Sequence, residues 1–138
     1  MKYARVFSAV AVLAVASLGL SQEPAKGRRV VATVGQDGVQ RVEMTGGSYY
    51  FDPAEVVVKV NVPVEISIKK IGNSPHNIFL KAPEAGIDFK ASLGTEPKVI
   101  RFTPTKVGKY PFWCTEHAPF SSKSHRDHGM EGVLEVVE

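Results

Sequence analysis

Side chains that commonly bind transition metals are concentrated in one short stretch of the sequence. The stretch Tyr110–Gly132 reads YPFWCTEHAPFSSKSHRDHGMEG. It contains the only cysteine, one of the three methionines and three of the four histidines of the 138 residues, which are Cys114, Met130, His117, His125 and His128. A thiolate, two imidazoles and a thioether form the ligand set of mononuclear copper sites that transfer electrons. The residue types therefore predict one copper ion bound by the cysteine, the methionine and two histidines.

The fourth histidine, His76, lies far upstream between two apolar segments. Pro75 precedes it and restricts the backbone of the residue before the proline, which helps to aim the imidazole. Asn77 follows it and is placed to form a hydrogen bond across to the other ligand loop, a contact that orients metal ligands. We therefore predict His76 as the remote ligand and Asn77 as a residue that supports the site.

Strand signals surround these residues and must position them. Val64–Lys69 alternates cleanly between apolar and polar residues, as a half-buried strand does. Only Ala82–Leu93 is a candidate for a helical turn. The other candidate strands are Val39–Thr45, Tyr49–Phe51, Glu55–Val60, Ile78–Leu80, Val99–Thr103, Lys109–Cys114 and Gly132–Val137. About seven strands separated by turn residues predict an all-β Greek-key sandwich or barrel.

The strand Lys109–Cys114 leads directly to the cysteine. Alternation places Tyr110, Phe112 and Cys114 on one face and Trp113 on the other. An aromatic face around the sulfur would exclude water and fix its position. We therefore predict that Cys114 lies at a rigid strand end facing the core.

The first segment of the chain has the features of a secretory signal peptide. A short basic start is followed by the uncharged, apolar Val6–Leu20 and by small residues. That apolar length is short for a bilayer span. We predict a signal peptide over 1–21, a flexible leader over 22–38 with Val30–Val34 as a candidate short strand, and a copper-binding domain over 39–138. An uncleaved anchor is the alternative; after cleavage we expect no stable membrane insertion and a periplasmic or extracellular location.

The formal net charge of +3 comes partly from this first segment. Without residues 1–21 the chain has 15 basic and 14 acidic residues, a net charge of +1. We therefore expect no nucleic-acid partner. The sequence has no paired carboxylates or serine triad, so we expect no hydrolase chemistry. We expect a monomer that is not an enzyme.

Three segments resemble the cupredoxins, small blue-copper proteins of the plastocyanin and azurin type. They are GNSPHNIFL, GKYPFWC and GMEGVLEV, in that order, and the resemblance spans about Tyr49 to Val137. It implies that His76, Cys114, one later histidine and Met130 bind a single type 1 copper ion. It also implies an exported one-electron carrier that exchanges electrons with redox partner proteins.

The spacing between Cys114 and Met130 departs from the Cys-x2-His-x4-Met pattern of that family. Fifteen residues separate the two, so no single histidine keeps both halves of the pattern. His117 keeps the first half and His125 keeps the second. We favour His125 because the Gly-Met-x-Gly segment anchors the methionine end; His117 and His128 are the alternatives.

This choice leaves Thr115–Ser124 as an inserted loop of ten residues. Loop closure costs little extra free energy as loops lengthen, so the insertion is tolerable and must protrude from the ligand end. We expect electrons to pass through an exposed histidine edge within an apolar patch. Ala118, Pro119 and Phe120 are the candidate residues for that patch.

Two alternatives remain open at this stage. Met130 is also compatible with a core role, and Glu116 is then the alternative axial ligand. A copper-binding or copper-delivery protein of the export compartment is the alternative function, with the downstream histidines forming an open or second metal site.

Overall fold

The computed structural model describes residues 27–138, so the signal peptide predicted over 1–21 lies outside the described residues. Eleven strands are present in this part: β1 Arg29–Val31, β2 Thr33–Val34, β3 Gln40–Gly47, β4 Tyr50–Asp52, β5 Glu55–Lys59, β6 Val64–Lys70, β7 Asn77–Ala82, β8 Ile87–Ser92, β9 Lys98–Phe102, β10 Gly108–Trp113 and β11 Glu131–Val137. Two 3₁₀ turns occur at Pro83–Ala85 and Arg126–His128. None of the helical turns in residues 27–138 is long or apolar enough to cross a membrane.

The strands form two sheets that pack face to face. One sheet has the order β1-β5-β11-β10-β7-β8, and the other has the order β2-β3-β6-β9, with β4 also paired to β3. The pairs β1/β5, β5/β11 and β3/β6 are parallel, and the remaining pairs are antiparallel. The predicted all-β sandwich is confirmed, and the two sheets do not close into a barrel within the described residues.

Alternating apolar residues build the core between the sheets. Val64, Ile66 and Ile68 of β6 are each at most 2% exposed, while the residues between them are half-buried or exposed. On β10, Phe112 and the following Cys114 face the core, and Trp113 faces outward as the sequence predicts. Each fully buried large apolar side chain contributes about 1.5–3 kcal/mol to folding, so this inward face is the main source of stability.

The segment predicted as a flexible leader over 22–38 contains two short strands over Arg29–Val34, which agrees with the candidate strand Val30–Val34 and shows that this part of the segment belongs to the sheets. Strand β1 pairs with β5 of one sheet, and strand β2 pairs with β3 of the other. Ala32, between them, is 6% exposed and donates its N–H to the carbonyl of Val57. These short edge strands carry mostly exposed side chains and therefore lack the alternation that marks a strand in sequence.

The segment Ala82–Leu93 is helical only at Pro83–Ala85. Gly86 ends the turn with φ = 72°, a left-handed conformation that suits glycine. Strand β8 then pairs with β7 along its whole length at the edge of the six-stranded sheet. The candidate helical turn is thus present but short. The strand beyond it was not predicted, although Ile87, Phe89 and Ala91 alternate with polar residues and form its more buried face.

Candidate metal centre

Three donor side chains from separate segments meet at one end of the sandwich. His76 lies in the loop before β7, Cys114 directly follows β10, and His125 directly precedes the 3₁₀ turn before β11. The two histidine Nδ1 atoms are 3.1 Å apart, and the cysteine Sγ lies 3.6 Å from Nδ1 of His125. All three donor atoms lie within 4.8 Å of one another. The side chains are buried, with 4%, 0% and 2% of their residue surfaces exposed.

These separations fit a shared transition-metal ion. Metal–nitrogen and metal–sulfur bonds of about 2.0–2.3 Å place neighbouring ligand atoms about 3.3–3.8 Å apart in tetrahedral geometry. The observed 3.1 Å and 3.6 Å separations lie close to that range. A thiolate with two imidazoles suits copper or zinc rather than calcium or magnesium. The residues therefore fit the predicted copper ion without rearrangement of the backbone.

The surroundings keep the two imidazoles neutral. Burial lowers the pKa of His76, and the neighbouring His125 lowers it further. Burial likewise lowers the pKa of His125. Burial raises the pKa of the Cys114 thiol, although the Asn77 N–H, which lies 3.4 Å from the sulfur, opposes this shift. The site thus presents two imidazoles whose neutral form is favoured and one thiol whose proton a metal must displace.

Asn77 connects the loop of His76 to the segment after Cys114. Its side-chain carbonyl accepts the Thr115 N–H at 2.9 Å. Its amide donates to the Thr115 hydroxyl at 2.9 Å and to the Glu116 carboxylate at 2.7 Å. The prediction that Asn77 bonds across to the other ligand loop is therefore confirmed.

Met130 is joined through its backbone to two of the three donors. Its N–H donates to the carbonyl of His125 at 3.0 Å, and its own carbonyl accepts the N–H of Cys114 at 3.0 Å. Its side chain is fully buried. A Cβ added at Gly46 would lie 2.8 Å from Leu93 Cδ1 and 3.3 Å from the methionine methyl group, so the missing side chain at Gly46 makes room for both Leu93 and Met130. The thioether thus lies in the core at the ligand end.

The other two downstream histidines lie outside this group. His117 is exposed and pairs with Ser124 in an isolated antiparallel bridge. His128 is exposed, and its ring stacks on Tyr49 with centroids 4.5 Å apart. The structure therefore brings His125, and neither alternative, together with His76 and Cys114.

Sequence reasoning missed Tyr49 as a residue of the site. Its ring meets the His125 ring edge-on, with centroids 5.1 Å apart. Its backbone has φ = 62°, which is unfavourable for a bulky residue and persists only when the surroundings enforce it. A tyrosine at the start of a predicted strand carries no sequence signal for such a contact.

The prediction of an exposed histidine edge is wrong, because Tyr49 and the inserted loop cover His125. Access to the donors is instead through a small cleft of about 100 Å³. It is lined by Ser48, Tyr49, Ser74, Pro75, His76, Pro119 and His125. Phe120, at the loop tip, has φ = 58° and is fully exposed. Of the predicted apolar patch, Pro119 therefore borders the cleft and Phe120 projects into solvent.

Three solved structures show the similarity of the fold. One is the metal-binding domain of the Cu(I)-exporting P-type ATPase CopA from Streptococcus pneumoniae D39, solved with Cu(I). The two sequences are 26% identical, the TM-score is 0.60, and the match covers 80% of this chain and 97% of that domain. Reduced auracyanin from Roseiflexus castenholzii is 23% identical with a TM-score of 0.52, and the match covers 71% of this chain and 97% of auracyanin. Auracyanin A, a blue copper protein from Chloroflexus aurantiacus, is 21% identical with a TM-score of 0.52, over 72% and 100%.

A search of curated proteins found no match. The sequence model of one protein family, described as the cupredoxin-like domain, matches residues 9–125. That range covers most of the chain and includes His76, Cys114 and His125. The folded sandwich and the buried donor group agree with the match. The chain therefore belongs to the family of cupredoxin-like domains.

Proposed function

We propose that this chain is an exported copper protein that carries single electrons, with one type 1 ion cycling between Cu(I) and Cu(II). His76, Cys114, His125 and Met130 are the proposed ligands. The observation that carries the proposal is the buried meeting of a thiol and two imidazoles from three separate segments, within 4.8 Å of one another. Copper, when bound, would supply the one-electron chemistry, and the Met130 thioether would be a weak additional ligand that raises the reduction potential.

The chain contributes rigidity and exclusion of water. His76 and Cys114 adjoin β7 and β10, and Asn77 links their segments by side-chain hydrogen bonds. Donors held in this way keep one geometry in both oxidation states, so little reorganisation accompanies electron transfer. We propose no enzymatic reaction, because the buried donors serve as ligands and the nearby Glu116 carboxylate is hydrogen-bonded to Asn77.

The proposed partners are redox proteins that dock at the ligand end. The cleft beside Tyr49 and Pro119 is lined by both buried histidines and is the approach that we propose. We propose a periplasmic or extracellular monomer without nucleic-acid partners, on the basis of the signal-like first segment and the small net charge without residues 1–21. Fractionation of cells that produce the full-length chain would test the location directly.

An optical titration with Cu(II) tests the function. We expect one equivalent to give an intense thiolate-to-copper absorption band and a reversible one-electron response in voltammetry. Colourless binding, or a stoichiometry other than one, would overturn the proposal. Cys114→Ala should abolish the band, since the thiolate is its source.

The choice among the histidines has its own test. His125→Ala should abolish the absorption band, whereas His117→Ala and His128→Ala should retain it, because only His125 lies in the buried group. Circular dichroism of each metal-free variant provides the folding control. Loss of the band in His117→Ala with an intact His125→Ala spectrum would contradict the proposed ligand set.

Copper binding for delivery is the second candidate function. The observation that favours it is the similarity to the metal-binding domain of a Cu(I)-exporting ATPase, at 26% identity over 80% of this chain. A delivery protein would release Cu(I) rapidly to a competing chelator and give no reversible voltammetric response. A carrier would retain Cu(I) and Cu(II) alike, so the two functions predict opposite results in one assay.

A further inference from the structure

Arg126 links two other residues on the outer face of the six-stranded sheet, and each of the three is adjacent in sequence to a proposed ligand. Trp113 precedes Cys114, Arg126 follows His125, and Glu131 follows Met130. The guanidinium carbon of Arg126 lies 4.3 Å from the centre of the Trp113 ring. Its Nε lies 2.8 Å from the carboxylate of Glu131. We call these three residues the outer clamp.

The β-sheet fixes two members of the outer clamp. Trp113 and Glu131 are direct cross-strand partners on β10 and β11. The Trp113 ring is held from its other side by Phe79 of β7, with ring centroids 4.9 Å apart. Arg126 alone comes from outside the sheet, because it begins the 3₁₀ turn that carries His125. The clamp therefore ties this turn to a rigid sheet surface.

We propose that Arg126 is a positioning residue that holds His125 in its ligand geometry. This inference rests on the proposed function, in which His125 is a copper ligand. A ten-residue loop, Thr115–Ser124, restrains its ends less than a short loop would, and Arg126 adds a restraint directly after His125. A guanidinium that stacks on an indole and pairs with a carboxylate is restrained in both orientation and distance.

Substitution of Arg126 in the full chain tests this role. Arg126→Met keeps much of the apolar stem and removes the charge and the planar group, and Arg126→Lys restores only the charge. We expect a chelator to remove copper from Arg126→Met about 3- to 10-fold faster than from the wild type. We also expect a displaced absorption band and reduction potential, with Arg126→Lys intermediate in all three measurements.

A matched control is available at a different surface ion pair. Arg101 pairs with Glu65 at 3.4 Å, and Glu65 lies near the start of β6, whereas His76 follows the end of that strand. Arg101→Met makes the same chemical change and should leave copper release, absorption and potential unchanged. The proposal is overturned if Arg126→Met also leaves them unchanged, or if it only lowers the stability of metal-free and loaded protein equally.

Amide hydrogen exchange separates this proposal from the function on which it rests. In the metal-free wild type, the His125 N–H is bonded to the carbonyl of Glu116 at 2.7 Å. Arg126→Met should speed exchange at His125 and Met130, while Arg101→Met should not. If the wild type forms no coloured complex, the proposed function fails. The exchange rates of the metal-free variants then still test whether Arg126 holds His125 in place. Unchanged exchange would overturn this proposal.

Discussion

At the scale of single residues, Asn77 has the largest number of contacts that hold the donors in place. One side chain accepts the Thr115 N–H and donates to the Thr115 hydroxyl and the Glu116 carboxylate, while its backbone N–H points to the Cys114 sulfur. The residue is 2% exposed, so water does not replace these bonds readily. Buried polar groups that lose their partner keep the full cost of desolvation.

Asn77→Ala should therefore weaken both the fold and the metal centre. It leaves the Thr115 N–H without its acceptor, which we expect to lower the free energy of unfolding by about 1–3 kcal/mol. The segment after Cys114 would also lose its anchor, so a chelator should remove copper faster. Chemical denaturation of the metal-free protein and stopped-flow copper removal measure the two effects.

Asn73→Ala is the matched control for this prediction. Asn73 is exposed, and the hydrogen bond that Lys70 donates to it uses its backbone carbonyl, which the substitution keeps. Stability and copper release should then stay at wild-type values. Equal behaviour of the two variants would show that the Asn77 bridge does not hold the ligand segment.

The protonation states of the donors predict the pH dependence of metal binding. Burial raises the pKa of the Cys114 thiol, so the thiol is protonated at pH 7 in the metal-free protein. Burial lowers the pKa of His76 and His125, so both imidazoles are already neutral there. Cu(II) binding should release close to one proton, from the thiol, and affinity should rise about tenfold per pH unit near neutrality.

Calorimetry in buffers of different ionisation enthalpy counts the released protons. Cys114→Ala supplies the control, because any weak binding that it retains should release none at pH 7. Release of two or more protons per ion by the wild type would show that at least one imidazole is charged at this pH. Extra proton release should begin only below the ordinary histidine pKa of 6.5.

At the scale of elements, the inserted loop Thr115–Ser124 divides into a bonded base and an exposed tip. The base is the His117–Ser124 bridge, with the Ala118 N–H donating to the carbonyl of Lys123 at 3.4 Å. Beyond it, the Ser124 N–H and hydroxyl both donate to Asp127 at 2.8 Å. The loop base therefore continues directly into the turn that carries His125.

Replacement of Ala118–Lys123 by Asn-Gly should shorten this loop without loss of the copper site. The two residues favour the tight turn that joins paired strands, and His117 and Ser124 are already paired. The absorption band should remain, because the bonds at Glu116, Ser124 and Asp127 are kept. Copper removal by a small chelator should become faster, because the Pro119 side of the cleft is lost. Loss of the band would show that the tip positions His125.

At the scale of the whole molecule, the sequence predicts the sandwich and most of the donor group because both depend on local patterns. Val64–Lys69 and Lys109–Cys114 each alternate because each strand buries one face, and the structure shows a buried face on both strands. The burial of His125 depends on Tyr49, which lies more than seventy residues earlier in the chain. Contacts between distant segments leave no periodic signal, so the shielded histidine was not predictable.

The strands β1 and β2, of which the sequence indicated only a short strand at Val30–Val34, extend the two sheets at their edges. Strand β1 extends the six-stranded sheet and β2 extends the other, with the buried Ala32 between them. A chain that starts at the predicted domain boundary, Val39, would expose both edges. The segment therefore contributes to stability although most of its side chains are exposed.

A chain that begins at Val39 should consequently be less stable than one that begins at Gly27. We expect its free energy of unfolding to be lower by about 2–4 kcal/mol, because apolar contacts of Val30 and Ala32 are lost. Its copper band should be unchanged, because β2 pairs with the start of β3. The contact with Met130 is made by Gly46, which lies near the other end of β3. Urea unfolding of both metal-free chains measures the difference. Equal stability would show that Arg29–Val34 is dispensable, and a lost band would show that the sheet edges help to hold the metal centre.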